Sequence, residues 1–179
     1  MKKSLLITTF IYLFSVSSNA QTLDFKPFKV DMLVGIGASK DVINSLFSVE
    51  PKYNLINNFC LGLKWENAPM YSTKKDGTTL TFGPNGTINS IVLTGEFYAW
   101  HDIRLRPFVG AGSGLYFANF NVEKNSDVTS KLGFMIRGGL QIGHFRIVVE
   151  NNFIPEDAYK LNYFTLKFGA TFGGGWLRK

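Results

Sequence analysis

The last regular stretch of the chain restricts the fold more than any other. Phe164, Leu166, Phe168, Ala170 and Phe172 alternate without a break with Tyr163, Thr165, Lys167, Gly169 and Thr171. Successive side chains of a strand face opposite sides, so this segment has one apolar face and one polar face as a strand and neither as a helix. The same period of two recurs along the chain, over 28–38, 45–55, 58–67, 88–100, 104–120, 131–143, 145–153 and 162–173. No segment keeps an apolar stripe at helical spacing for long, although 41–47 could form a short helical turn. Eight such strands predict an all-β fold, an eight-stranded antiparallel up-and-down barrel.

Residues 1–20 read as a secretory signal peptide, which leaves 21–179 as one barrel domain. Lys2 and Lys3 form its positive end, Leu5 to Val16 its apolar stretch, and Ser18-Asn19-Ala20 a small-residue cleavage site. That stretch is well short of the roughly 20 apolar residues that a membrane-spanning helix needs. The chain carries 19 basic and 13 acidic residues, and no basic cluster of the kind that grips nucleic acid. A single cysteine, Cys60, excludes an intrachain disulfide and a cysteine-based zinc site, and only two histidines remain. No cofactor is expected.

Period alone leaves open which face points inward. The polar face carries Lys29, Asp31, Glu50, Lys52, Lys64, Glu66, Glu96, Arg104, Arg106, Arg137, Arg146, Glu150 and Lys167, interleaved with glycines such as Gly35, Gly62, Gly110 and Gly169. Glycine gains nothing on a solvated face, but inside a narrow barrel it makes room for long side chains from the opposite wall. Both signs of charge are present, so they can pair there, and pairing is close to obligatory for a buried charge. The apolar face then meets lipid. Most of the stretches match the roughly 9–11 residues with which a tilted strand crosses a bilayer.

Tight connections at Ile56-Asn57, His101-Asp102-Ile103 and Gly143-His144 alternate with longer ones over 39–44, 68–87, 121–130 and 154–161. Short periplasmic turns and longer outer loops behave this way, and the parity works for an even number of strands. The second stretch carries Pro51, which interrupts a ladder. Tyr53, Trp65, Tyr98, Trp100, Tyr163 and Trp176 fall near strand ends, where rings with one polar tip suit the membrane–water boundary, with packing in the lumen an equal alternative for some of them.

With its segments RPFVGAGSGLYF (106–117), GGLQIGHFRIVVENNF (138–153) and YFTLKFGATFGGG (163–175), the chain resembles the small eight-stranded outer-membrane β-barrel proteins of Gram-negative bacteria, the OmpA/OmpX-like class. The resemblance covers nearly all of 21–179. It implies an outer-membrane location, lipid as the surrounding partner and the barrel assembly machinery as a partner in biogenesis. Members often end on an aromatic residue, whereas here Gly173-Gly174-Gly175 and four further residues follow Phe172.

Catalytic chemistry finds little support. The run Gly110-Ala111-Gly112-Ser113-Gly114 has no following helix to receive a phosphate. His101 and His144 fall in turns on the periplasmic side, and Ser113 has no histidine near it in the outer half. A non-enzymatic barrel is expected, with a structural or surface-interaction role. Glu50, Lys52, Glu66, Glu96, Arg106, Arg137, Arg146, Glu150 and Lys167 form its lumen charge network. As an alternative those charges line an ion path, and the protein is a narrow channel for small solutes. A second alternative is a periplasmic lipocalin-like barrel with an apolar interior. The longest outer connection offers Tyr71, Lys74, Lys75 and Phe82 for contact with a partner or with lipopolysaccharide phosphates. The oligomeric state is left open.

Overall fold

A computed structural model of the chain describes residues 26–39, 42–76, 79–99, 105–120, 128–155 and 162–175. The signal peptide, Arg104, Trp100, His101 and Trp176 lie outside them. Eight strands close into one antiparallel barrel in chain order. They are β1 (Phe28–Ser39), β2 (Val42–Ile56), β3 (Phe59–Asp76), β4 (Thr79–Tyr98), β5 (Leu105–Phe120), β6 (Val128–Ile142), β7 (Phe145–Phe153) and β8 (Tyr163–Gly173). β1 pairs with both β2 and β8, which removes every sheet edge from the wall.

Register fixes the tilt. Paired residues lead from Gly37 through Thr165, Glu150, Arg137, Gly110, Glu96, Cys60 and Asn54. Asn54 N–H donates to the Pro27 carbonyl at 2.7 Å, so the circuit returns to β1 ten residues from its start. For eight strands that stagger corresponds to a tilt of about 40°.

The apolar face of every strand points outward. Met32, Val34, Ile36, Leu63, Trp65, Leu93, Val109, Phe134, Ile136, Leu166 and Phe168 are all exposed, and their chain neighbours turn inward. On β6 the outward run extends from Leu132 to Ile142, which at this tilt is a belt about 25 Å tall. The expected inward glycines make the interior fit. A Cβ at Gly62 would lie 2.7 Å from a Glu50 oxygen, and one at Gly35 would lie 3.0 Å from Lys167 Cγ.

Three expectations are corrected. The connection over 39–44 is no loop, because Ser39 already pairs with Val42. Of residues 41–47, expected as an optional helical turn, those described, 42–47, are strand; Ile43 and Phe47 point outward, while Asn44 and Leu46 point inward. Pro51 interrupts the ladder on one side of β2 only. It stays paired with Val30, and the ladder to β3 lapses between Val49 and Lys52, where its missing N–H would have donated. The largest correction concerns 68–87. Instead of a loop, β3 and β4 keep pairing up to Asp76 opposite Thr79, across a bulge at Asn85. This hairpin marks one end of the barrel. The turns at Asn57-Asn58 and at Gly143-His144, where Gly143 has a φ of +59°, mark the other.

Candidate functional site

The interior holds two ion clusters stacked along the barrel axis. Nearer the turn end, Lys52 Nζ lies 2.6 Å from Asp31 Oδ2 and 2.7 Å from Glu96 Oε2. Arg146 spans the same two carboxylates, at 3.0 Å and 2.7 Å. Arg137 grips Glu50 with both of its terminal nitrogens, at 2.5 Å and 2.8 Å, and reaches Glu96 at 2.9 Å. A planar guanidinium suits such shared pairing, since its fork meets two carboxylate oxygens at once. Thr94 donates to Glu50, and Thr171 donates to Asp31 at 2.7 Å.

Nearer the hairpin end the cations are lysines. Lys64 lies 2.6 Å from Glu150 and 3.4 Å from Glu66. Lys167 pairs with Glu66 and lies 2.9 Å from Glu150. Asn152 donates to Glu150, and Tyr116 donates to Asn152. Arg137 and Glu150, 4.0 Å apart, link the two clusters. An apolar layer of Ile88, Val92, Ala118, Met135 and Ile154 accompanies the hairpin-end cluster.

Eight of the nine candidate lumen residues therefore meet inside: Glu50, Lys52, Glu66, Glu96, Arg137, Arg146, Glu150 and Lys167. Arg106 stands apart at the turn end. Its Nη2 donates to the Asn57 carbonyl at 3.0 Å, and its guanidinium lies 4.4 Å from the centre of the Tyr98 ring. Asp31 and Lys64, which share the polar face, complete the clusters. Of the two places open to the strand-end aromatics, Tyr98 and Tyr163 take the lumen, where each is 1% exposed. The Tyr98 hydroxyl donates to Glu96 and accepts from Arg146. Tyr163 donates to Glu66 at 2.7 Å. The signal was available in parity: Tyr98 is two residues from Glu96, and Tyr163 is two from Thr165. Tyr53 and Trp65 do face outward, and Trp65 stands edge-on to Phe47 at 6.3 Å.

The outer-contact residues fall on paired strands. Tyr71, Lys74 and Lys75 belong to β3, with Pro84, Thr81 and Leu80 as their register partners, and Phe82 sits opposite Thr73. His144 Nδ1 donates to the Thr171 carbonyl at 2.8 Å, an anchor for its turn. Among the described residues no group of His, Cys, Asp or Glu has the make-up of a metal centre. The interior is the inverse of a lipocalin-like one: charged within and apolar without.

No protein-family model and no curated protein matches the sequence. Solved structures do match its fold. Neisserial surface protein A aligns with a TM-score of 0.61 at 13% identity, over 82% of this chain and 95% of that one. The N-terminal β-barrel domain of Pseudomonas aeruginosa OprF aligns at 0.51 and 14% identity, over 85% and 100%. The Yersinia pestis outer membrane protein Ail, in a phospholipid bilayer nanodisc, aligns at 0.51 and 18% identity, over 82% and 100%. At these identities the likeness is one of architecture, and the architecture of this chain is that of the small outer-membrane β-barrels.

Proposed function

We propose that this chain is a non-enzymatic integral outer-membrane barrel whose lumen is closed by its own ion pairs and whose interactions take place at its outer end. The carrying observation is the pairing of an apolar belt outside with five carboxylates inside among the described residues, each within 3 Å of a buried cation. A charge left alone in such an interior costs several kcal/mol, so that arrangement favours one filled and rigid state over an open pore. An eight-stranded barrel is only wide enough for its side chains to fill it.

The β3–β4 hairpin is the part free to do more. Outward polar residues Asn67 and Asn89, joined by a 2.7 Å hydrogen bond, end the apolar belt on these strands. Beyond them each strand continues for about nine residues, a projection of about 20 Å at this tilt. In this reading it is presented outside the cell. In this reading Lys74 and Lys75 serve lipopolysaccharide phosphates or a surface partner.

Alkaline carbonate extraction of cell envelopes, followed by gels of boiled and unboiled samples, tests the location. Retention in the pellet with faster unboiled migration is expected; release without a heat shift overturns the reading. Deleting 71–84 should leave that heat shift intact while lowering retention on lipopolysaccharide-coated beads. Steady single-channel conductance from the intact protein would replace the closed lumen with the channel alternative.

A further inference from the structure

Two consecutive asparagines of β7 face opposite ways and fare differently. Asn152 points into the lumen, where its amide donates to Glu150 at 3.0 Å and accepts from the Tyr116 hydroxyl at 2.8 Å. Asn151 points outward in line with Ile147, Val149 and Phe153 and is half-buried. Its register partners are Ile136 on β6 and Phe164 on β8, both exposed on the apolar belt. Phe134, opposite Phe153, completes an apolar frame around it. Among the described residues its carboxamide takes part in no hydrogen bond.

Depth makes this arrangement costly. The register line through Asn151, Ile136, Ala111 and Gly95 meets β4 six residues below Asn89. The stagger lifts that line toward the hairpin end between β4 and β7, which leaves Asn151 about 6 Å deeper than Asn89. Asn67 and Asn89 end the belt, so Asn151 stands inside it, near its outer margin. Water is scarce at such a depth, and an amide without a partner there raises the free energy of the folded state.

A carboxamide has two N–H donors and one acceptor oxygen. At acyl depth a phospholipid offers only ester oxygens, which accept and cannot donate. A saccharolipid of the lipopolysaccharide type offers more, because its acyl chains are joined through amides and bear hydroxyl groups close to the sugar. We propose that Asn151 is a contact site for such a lipid. Its carboxamide exchanges hydrogen bonds with an amide or hydroxyl of one chain, while Ile136, Phe153 and Phe164 hold the chain itself. Ser45, Asn67 and Asn89 stand outward at the same margin on β2, β3 and β4. The described girdle is therefore neutral and hydrogen-bonding, with no lysine or arginine in it. The site rests on the reading of the hairpin end as the outer one, and it needs no phosphate.

The test is urea unfolding of the full chain in phosphatidylcholine vesicles, with and without added lipid A, the anchor of lipopolysaccharide. Asn151→Leu removes the carboxamide and leaves an apolar side chain facing lipid. Adding lipid A should raise the folding equilibrium constant of the parent about three- to tenfold more than that of Asn151→Leu, the effect of one net hydrogen bond. Asn151→Gln should respond as the parent does, and lipid A stripped of its phosphates should act as intact lipid A does. An equal response of the parent and Asn151→Leu would overturn the proposal. So would loss of the difference once the phosphates are removed. Should Asn151→Leu not fold, Asn151→Ala takes its place. Lipid A lies in both leaflets of such vesicles, so the result stands whichever end of the barrel faces outward, while the carbonate wash tests the membrane location separately.

Discussion

The two ion clusters inside this barrel solve the same problem with different chemistry. At the turn end, Asp31, Glu50 and Glu96 are shared among Lys52, Arg137 and Arg146, and most of these groups touch two or more opposite charges. At the hairpin end two lysines and two glutamates form a smaller, electrically balanced set, supplemented by Tyr163 and Asn152. Guanidinium forks let one side chain serve several carboxylates; ammonium groups serve as compact points beneath an apolar layer. The turn-end cluster is thus the more connected of the two, and its failure should spread further.

Removing its centre should have the largest effect. Glu96 meets Lys52, Arg137 and Arg146 and accepts from Tyr98. Glu96→Gln is expected to cost about 3–5 kcal/mol of folding stability by strand-buried charge left unpaired, read from urea unfolding in micelles. Glu66→Gln at the other end, with two lysines and one tyrosine, should cost less. Combining Glu66→Gln with Lys167→Gln should cost less than the two single changes added, with a coupling of about 0.5–3 kcal/mol. Strict additivity would show that the hairpin-end lysines are not held as pairs.

A neighbour on the other face sharpens the contrast. Lys167 is fully buried among carboxylates, whereas Leu166 beside it is 42% exposed on the apolar belt. Leu166→Arg should cost about 2–4 kcal/mol, because lipid offers a mid-belt cation no partner. An Arg tolerated there without loss in a bilayer refolding assay would invert the assignment of faces. The tyrosines come next. Tyr98→Phe removes a hydroxyl serving two cations and a carboxylate, while Tyr163→Phe removes a bond to Glu66. About 1.5–3 kcal/mol is expected for each charged hydrogen bond removed, with Tyr98→Phe the more costly. Equal losses would mean that the turn-end cluster rearranges around the missing hydroxyl.

Strand number, the facing of each side chain and the membership of the lumen were legible because a period of two carries them directly. Glu50 and Lys52 could be placed on one face without knowing what lay opposite. Pairing partners were not legible: nothing local says that Lys64 meets Glu150, 86 residues away, because the stagger around the barrel decides it. For Tyr98, residue type left boundary and lumen open, and its parity with Glu96 pointed inward, as did the place of Tyr163 on the polar face of its strand. The β3–β4 extension was missed for a local reason. In the proposed orientation neither face meets lipid beyond Asn67, so the apolar alternation that marks a strand in the wall is not required there while backbone pairing goes on. Gly83-Pro84-Asn85-Gly86 has the composition of a turn, yet β4 runs through it with a bulge, and pairing continues to Asp76 opposite Thr79.

The smallest effect is expected where the two ends differ on the outside. Around the turn end the outer face carries Phe28, Tyr53, Phe97, Phe145 and Phe172; toward the hairpin end Asn67 and Asn89 face each other. Aromatic rings fit the headgroup level of a bilayer, and an asparagine pair marks a depth at which hydrocarbon has ended. Asn89→Lys should therefore cost only about 0–1 kcal/mol in bilayer refolding, the range for a lysine near the interface. Leu93→Lys, four residues deeper on the same strand, should cost about 2–4 kcal/mol if it nears the midplane. A steep difference between the two fixes the outer boundary of the membrane at the asparagine pair and leaves the whole β3–β4 extension in water. Equal, large costs would move the boundary outward past Asn89, shorten the projection and weaken the case for contact at that hairpin.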